Sequence, residues 1–256
     1  MLLCLDIGNT NIVLGLYEGE RLISHWRIAT EHHRMPDEYA MLILDLFAHR
    51  GHRPPEVTGI AMASVVPPLT GVFAELSRSY FDLDPLVVDA GVRTGVRIRT
   101  DNPREVGADR VVNAAAAHRL YGGPACIVDF GTATTFDAVS AEGDYLGGAI
   151  APGITIAAEA LFAHTAKLPR IDLIRPPRAI GSNTVHSMQS GLLFGYVGLV
   201  EGLVARFRAE LGPTMKVIAT GGLAELVARE TRVIDILAPW LTLDGLRLIW
   251  EMNKSP

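Results

Sequence analysis

An aspartate followed at once by glycine and small polar residues occurs twice at the end of an apolar run. The two copies are Leu5-Asp6-Ile7-Gly8-Asn9-Thr10 and Val128-Asp129-Phe130-Gly131-Thr132-Ala133-Thr134. Glycine lets a turn approach an anion and tolerates φ > 0, and Thr and Asn side chains donate hydrogen bonds to phosphate oxygens. A carboxylate repels a bare phosphate, so an aspartate here points to a hydrated divalent cation between it and a nucleotide. Either copy alone is an ordinary turn at a strand end. Two copies in matching context predict a duplicated unit, with one hairpin per lobe clamping a polyphosphate in the cleft between them.

A third acid falls elsewhere. In Gly107-Ala108-Asp109-Arg110, Asp109 sits at the start of an Ala-rich helical stretch. It serves there as an N-terminal cap as readily as a proton acceptor for a substrate hydroxyl. Arg110 is either its charge partner or a fork-shaped anchor for a carboxylate or phosphate.

The elements that must position these residues read as strand–turn–strand meanders. Leu2 to Leu5, Ile12 to Tyr17 and Leu22 to Ile28 form the first, with Glu18-Gly19 closing its second strand. The pattern restarts at Ala125 and closes at Glu142-Gly143. Helices are predicted over Pro36 to His49, from Pro67-Pro68 through Leu76, over Ala108 to Leu120, over Thr184 to Leu211, from Leu223, and around Leu243 to Glu251, with strands at Gly59 to Val66, Leu86 to Asp89, Lys216 to Thr220 and Val233 to Leu237. The expected fold is therefore α/β, a duplicated RNase H-like (actin-like ATPase) fold, with lobes at residues 1–121 and 122–256.

Composition narrows the function. At 256 residues, 49% apolar, 20% charged and a net charge of −5, the chain reads as an ordinary globular protein without a polyanion-binding surface, so no nucleic-acid partner is expected. No export signal and no bilayer-length apolar run stand out, so no membrane role is expected and a cytoplasmic location is the default. Cys4 and Cys126 read as buried, inert thiols. His32 and His33 read as solvated loop residues, His164 and His186 as structural, and Glu159 stays unassigned. Gly191, Gly195, Gly198 and Gly202 recur on one helix face, which either packs on the second-lobe sheet or meets another subunit.

Neither a Gly-x-x-x-x-Gly-Lys phosphate loop nor a Gly-x-Gly-x-x-Gly run after the first strand is present. The motifs instead resemble the actin, sugar kinase and heat-shock-70 superfamily, and within it type III pantothenate kinase. Beside the two hairpins and Gly107 to Arg110, the resemblance rests on Asn102-Pro103, Gly147-Gly148-Ala149-Ile150-Ala151-Pro152-Gly153, Thr165-Ala166-Lys167-Leu168-Pro169, Asn183-Thr184 and Thr220-Gly221-Gly222. It runs along essentially the whole chain.

That resemblance implies ATP-dependent phosphorylation of the pantothenate 4′-hydroxyl, the first step of coenzyme A biosynthesis. It implies ATP phosphates on Asp6, Ile7, Gly8, Asn9, Thr10, Asn11, Ile12 and Val13, a further nucleotide contact from Thr132, and Gly221 and Gly222 beside adenosine. Mg²⁺ or another divalent cation would meet Asp6 through water or the nucleotide, and K⁺ or NH₄⁺ would sit at Asp129. Gly107, Ala108, Asp109, Arg110 and Thr184 would line the pantothenate pocket, with Asp109 as catalytic acceptor. Thr100 stands where many relatives carry a substrate-contacting tyrosine, so that contact carries over only weakly. A homodimer is implied, with part of the pocket formed across it. Two other readings fit the hairpins: a non-catalytic nucleotide-binding regulator on the same fold, and a sugar or acetate kinase. Intact Asp6, Asp109 and Asp129 argue against the first, and the Gly107 to Arg110 run is unexplained by the second.

Overall fold

The computed structural model describes residues 1–254; the last two residues of the expected second lobe lie outside it. β1 (Leu2–Ile7), β2 (Asn11–Glu18) and β3 (Arg21–Ala29) form an antiparallel meander, followed by α1 (Pro36–His49), β4 (Gly59–Ser64), α2 (Pro67–Phe81) and β5 (Leu86–Val87). β4 pairs parallel to β1 and β5 parallel to β4, giving the sheet order β3-β2-β1-β4-β5. After α3 (Ala108–Tyr121) the series begins again with β6 (Ala125–Phe130), β7 (Ala133–Val139) and β8 (Tyr145–Pro152). Then come α4 (Ile154–Ala163), α5 (Thr184–Leu211), β9 (Lys216–Thr220), α6 (Ala224–Ala228), β10 (Ile236–Leu237) and α7 (Leu241–Asn253). The second sheet runs β8-β7-β6-β9-β10, the order of the first, so the expected duplication is present.

The chain divides into two compact units whose borders differ from a single cut after residue 121. The first unit takes residues 1–96, 101–116 and everything from Leu241 on; the second takes 97–100 and 117–240. Side-chain size explains the return of α7 to the first sheet. Leu243 lies against Gly15 of β2 and Trp250 against Gly59 of β4, and a Cβ on either glycine would collide with its partner. Gly245 brings the α7 backbone onto the Val112 carbonyl of α3, and the Thr242 hydroxyl donates to Asn113 Oδ1 at 2.8 Å. Residues 97–100 join the second unit because Arg97 and Arg99 exchange backbone bonds of 2.8 Å with Tyr145 at the start of β8.

Period-2 alternation builds the first core. Leu3, Leu5 and Ile7 of β1 join Ile12, Leu14 and Leu16 of β2 against Tyr39, Ile43 and Phe47 of α1 and Leu69, Phe73 and Leu76 of α2. Each such side chain contributes about 1.5–3 kcal/mol by leaving water. Cys4 and Asp6 alternate onto the opposite face of β1. In the second unit Cys126, Val128 and Phe130 of β6 pack with Leu192, Tyr196, Val200 and Val204 of α5. Asp129 alternates away from that core, so Asp6 shares its face with Cys4 whereas Asp129 does not share one with Cys126. Burial pushes both thiols up, Cys126 to about 12, which leaves them inert as expected.

α5 is long and apolar enough to cross a membrane by length and composition, yet Met188, Leu192, Leu193, Val197, Val200 and Val204 are buried in the second unit, as in a core helix. Its glycines do not face the sheet. Gly191, Gly195 and Gly198 are exposed, with nothing within 4 Å of an added Cβ, so the packing alternative for this face is overturned.

Candidate active site

Both aspartates end a central strand at the same register. Asp6 lies opposite Val13 on β2 and Ala63 on β4; Asp129 lies opposite Thr135 on β7 and Thr220 on β9. Each is half-buried at the base of a turn whose next residues are exposed, namely Asn9 and Thr10 in one and Gly131 and Thr132 in the other. The turns close on themselves: the Gly8 N–H donates to Asn11 O at 3.0 Å, and the Gly131 N–H to Ala133 O at 3.1 Å. Neither Gly8 nor Gly131 adopts a positive φ, contrary to the conformational role expected of them. Close approach accounts for Gly8 instead, since an added Cβ would sit 3.0 Å from Asn11 O. Positive φ falls instead at Gly19 and Gly143, at 61° and 89°, in the turns that follow β2 and β7.

In the second unit the structure brings Asp129 and Gly221 together. Gly221 follows β9 at φ 90°, and a Cβ on it would fall 2.5 Å from Asp129 Oδ1. Gly222 beside it is exposed. Gly153, at the end of the glycine-rich β8 motif, donates its N–H to Thr132 O at 3.1 Å and seats the start of α4 against the second turn. Thr184 opens α5 and is exposed, and Asn183 caps that helix by accepting the His186 N–H at 2.9 Å. His186 thus lies in the first turn of α5, and His164 ends α4. Glu159 is exposed on α4. Thr100 runs beside β8 with its Cγ2 3.7 Å from an added Gly147 Cβ, and its hydroxyl is buried without a protein partner.

In the first unit Gly107 and Asp109 are coupled. A Cβ on Gly107 would fall 2.5 Å from Asp109 Oδ1, so glycine there makes room for the carboxylate. The same oxygen accepts the Arg110 N–H at 2.8 Å, so Asp109, the second residue of α3, satisfies an N–H of the first turn from inside the helix. That bond does not consume it. Burial pushes its pKa up, while the Arg110 N–H and guanidinium pull it down, and burial is the larger effect. A carboxyl held by one oxygen and raised toward the working pH suits proton acceptance.

Among the described residues, no group of three or more His, Cys, Asp or Glu is placed to hold a metal. The donor set fits a Mg²⁺ carried mainly by nucleotide phosphates and water with one carboxylate, the usual arrangement for that ion, rather than an all-protein cage. Asp129, enclosed by the close approach of Gly221, offers an oxygen donor of the kind hard cations take. Sequence alone did not single out Thr30, whose hydroxyl bonds the first turn, while Tyr39 holds the neighbouring Glu31. Aligning the two repeats gives the signal, because Thr30 follows β3 as Gly153 follows β8.

Two sheets of one order, each ending its central strand in an Asp-x-Gly turn, define the duplicated fold of actin-like kinases and ATPases. Solved structures agree on that fold. An inorganic polyphosphate/ATP-glucomannokinase from Arthrobacter sp. strain KM is similar with a TM-score of 0.51 at 14% identity, covering 99% of both chains. A Campylobacter jejuni protein assigned to the Baf family of transcriptional activators is similar with a TM-score of 0.62 at 19% identity, covering 98% of both. Sequence goes further. The model of the type III pantothenate kinase family matches residues 2–206. Type III pantothenate kinases of Roseiflexus sp. (strain RS-1) and Myxococcus xanthus (strain DK1622) are 58% and 55% identical, each over 100% of both chains. The chain belongs to the type III pantothenate kinase family, a family of phosphotransferases.

Proposed function

We propose that the protein transfers the γ-phosphoryl group of ATP to the 4′-hydroxyl of pantothenate, giving 4′-phosphopantothenate and ADP, the first step of coenzyme A biosynthesis. The observation that carries this reading is the aspartate repeated at one register in both sheets, each at the base of a hydrogen-bonded Gly turn, in a chain of this family. Residues 6–13 hold the ATP phosphates, Thr132 adds a nucleotide contact and Gly221-Gly222 border adenosine. Gly107 to Arg110 and Thr184 hold pantothenate, with Arg110 suited to its carboxylate. Thr100 contributes at most a minor contact, since its hydroxyl is turned inward.

Asp6, through water or the nucleotide, would hold Mg²⁺ and Asp129 would hold K⁺ or NH₄⁺, and these cations would supply neutralisation of charge on the phosphates. The chain's own part is positioning, because a loose phosphoryl transition state leaves little covalent work to the protein. The turn donors fix the donor phosphate, and Asp109 orients the acceptor hydroxyl and takes its proton at the carboxylate.

A homodimer belongs to the same reading. The open glycine face of α5 is accompanied in the second unit by exposed Ile156, Phe162, Ile174, Ile180 and Val185, Ile180 at 84%. A second copy is the occupant of the glycine face, since small residues allow close helix contact, and exposed apolar side chains of the same unit gain by burial. A cytoplasmic location follows from the use of ATP.

The test is ADP release by purified protein with ATP, Mg²⁺ and pantothenate, in K⁺ or NH₄⁺ and then in Na⁺. Pantothenate-dependent turnover that drops in Na⁺ is expected. No turnover with any cation would overturn the kinase reading in favour of a nucleotide-binding regulator.

A further inference from the structure

The two turns are latched from behind by the same bond. The N–H of Thr30, the residue after β3, donates to Thr10 O at 3.0 Å, and the N–H of Gly153, the residue after β8, donates to Thr132 O at 3.1 Å. The turns differ in length, however. Ile7 pairs with Ile12, so residues 8–11 make the first turn, whereas Phe130 pairs with Thr134, so residues 131–133 make the second. The longer turn has more backbone freedom to restrain.

That longer turn has a second latch. The Thr30 hydroxyl donates to Gly8 O at 2.6 Å, so one residue holds the carbonyls at both ends of the Gly8–Thr10 stretch. At the equivalent place in the other unit a side chain has no room, because a Cβ on Gly153 would collide with Thr132 O and lie 2.7 Å from Gly131 O. Thr30 is itself anchored through its neighbour. The Glu31 N–H donates to the Tyr39 hydroxyl at 2.8 Å, that hydroxyl donates back to Glu31 O at 3.0 Å, and the Tyr39 ring is fully buried.

Peptide planarity turns this latch into aim. In a trans peptide the C=O and the following N–H point in opposite directions. With the Gly8 and Thr10 carbonyls drawn toward Thr30, the N–H groups of Asn9 and Asn11 point away from it. We infer that Thr30 is a positioning residue for the phosphoryl donor, holding the Asn9 and Asn11 N–H groups toward the ATP phosphates. This rests on the reading above that residues 6–13 bind those phosphates.

The test compares Thr30→Val, which keeps the shape and the backbone bond but loses the hydroxyl, with Thr30→Ser, which keeps the hydroxyl. MgATP affinity is measured directly by calorimetric titration, and KM for ATP and for pantothenate by turnover. Thr30→Val is expected to weaken MgATP binding by about tenfold, the scale of one well-placed hydrogen bond. Thr30→Ser should stay within about threefold of wild type, and KM for pantothenate should hold in both. Val binding MgATP like wild type, or Ser failing as badly as Val, would overturn the role. Should Val not fold, Tyr39→Phe loosens the anchor of Glu31 and is expected to weaken MgATP binding in the same direction, no change overturning the role. Wild type that binds MgATP but ignores pantothenate would overturn only the acceptor assignment, while wild type that binds no MgATP would overturn both.

Discussion

The Asp129 carboxylate occupies the space that a side chain at Gly221 would need, an added Cβ falling 2.5 Å from Asp129 Oδ1 and 2.6 Å from the Phe130 nitrogen. Gly221 also sits at φ 90°, where L side chains are strained. Gly221→Ala must therefore move the carboxylate or the β6 end, at a cost of about 1–3 kcal/mol. The expected result is a lower urea midpoint together with a large loss of K⁺ activation and a raised KM for ATP. A variant with a normal K⁺ activation curve would argue against Asp129 as the monovalent-cation ligand.

Asp109→Asn separates chemistry from folding. The amide oxygen can still accept the Arg110 N–H and fits beside Gly107, yet it accepts no proton. Turnover is expected to fall by roughly 10²-fold or more. Stability should move the other way. Burial raises the folded pKa of Asp109 above its ordinary 3.8, so the folded state binds more protons than the unfolded state between those values, and this contribution to stability is lost as pH rises through the folded pKa. At neutral pH the ionised carboxylate is thus a cost that Asn removes, and the thermal midpoint of the variant at pH 7 should equal or exceed that of wild type. The wild-type acid limb of kcat should lie above pH 3.8 and be absent from the residual activity of the variant. A variant with near-normal turnover would leave Asp109 only its bond in the first turn of α3.

Much of this was legible in sequence because periodicity and turn chemistry are local. The alternation of Leu3, Leu5 and Ile7, the Pro36 start of α1 and the repeated Asp-x-Gly turns give the meanders and their order. Partition of the chain was less legible, since α7 joins the first sheet through contacts of Leu243, Gly245 and Trp250 with residues distant in sequence. The role of Thr30 was hidden for the same reason, as its hydroxyl bond to Gly8 depends on register between β2 and β3. Glycine was the most misleading residue type. Its presence at Gly8 signals close approach rather than a left-handed backbone, and in α5 it marks an open face rather than a packed one.

The hold of α7 on the first sheet has a polar component that can be measured. The Tyr17 hydroxyl donates to Asp244 Oδ1 at 2.7 Å, beside buried Arg247, which pairs with Glu251 at 2.8 Å. Tyr17→Phe is expected to cost about 1 kcal/mol in urea unfolding, the usual net value of such a bond. Burial raises the pKa of Asp244, so the contribution of this carboxyl to stability is full below the ordinary 3.8 and is lost as pH rises through the folded value, a loss that the Tyr17 bond opposes because it favours the ionised form. Removing the hydroxyl penalises the ionised form further. The deficit of the variant should therefore grow from acid to neutral pH, and a deficit constant with pH would show that Asp244 does not titrate in this contact.

The open face of α5 predicts the assembly state. Gly191, Gly195 and Gly198 have nothing within 4 Å of an added Cβ in the single chain, so a substitution there has no intramolecular contact to break. Gly195→Glu should leave the folded monomer intact, and replacing a helical glycine even removes a helix penalty of the order of 0.5–1 kcal/mol. In a dimer packed through this face the same change places a charge where two backbones approach, and a buried unpaired charge is among the costliest changes an interface can receive. Light scattering after size exclusion is expected to give a dimer for wild type and a monomer for Gly195→Glu, with helical content by circular dichroism unchanged. A dimeric Gly195→Glu protein would move the interface off this helix, and a monomeric wild type would remove the second copy from the proposed pantothenate site altogether.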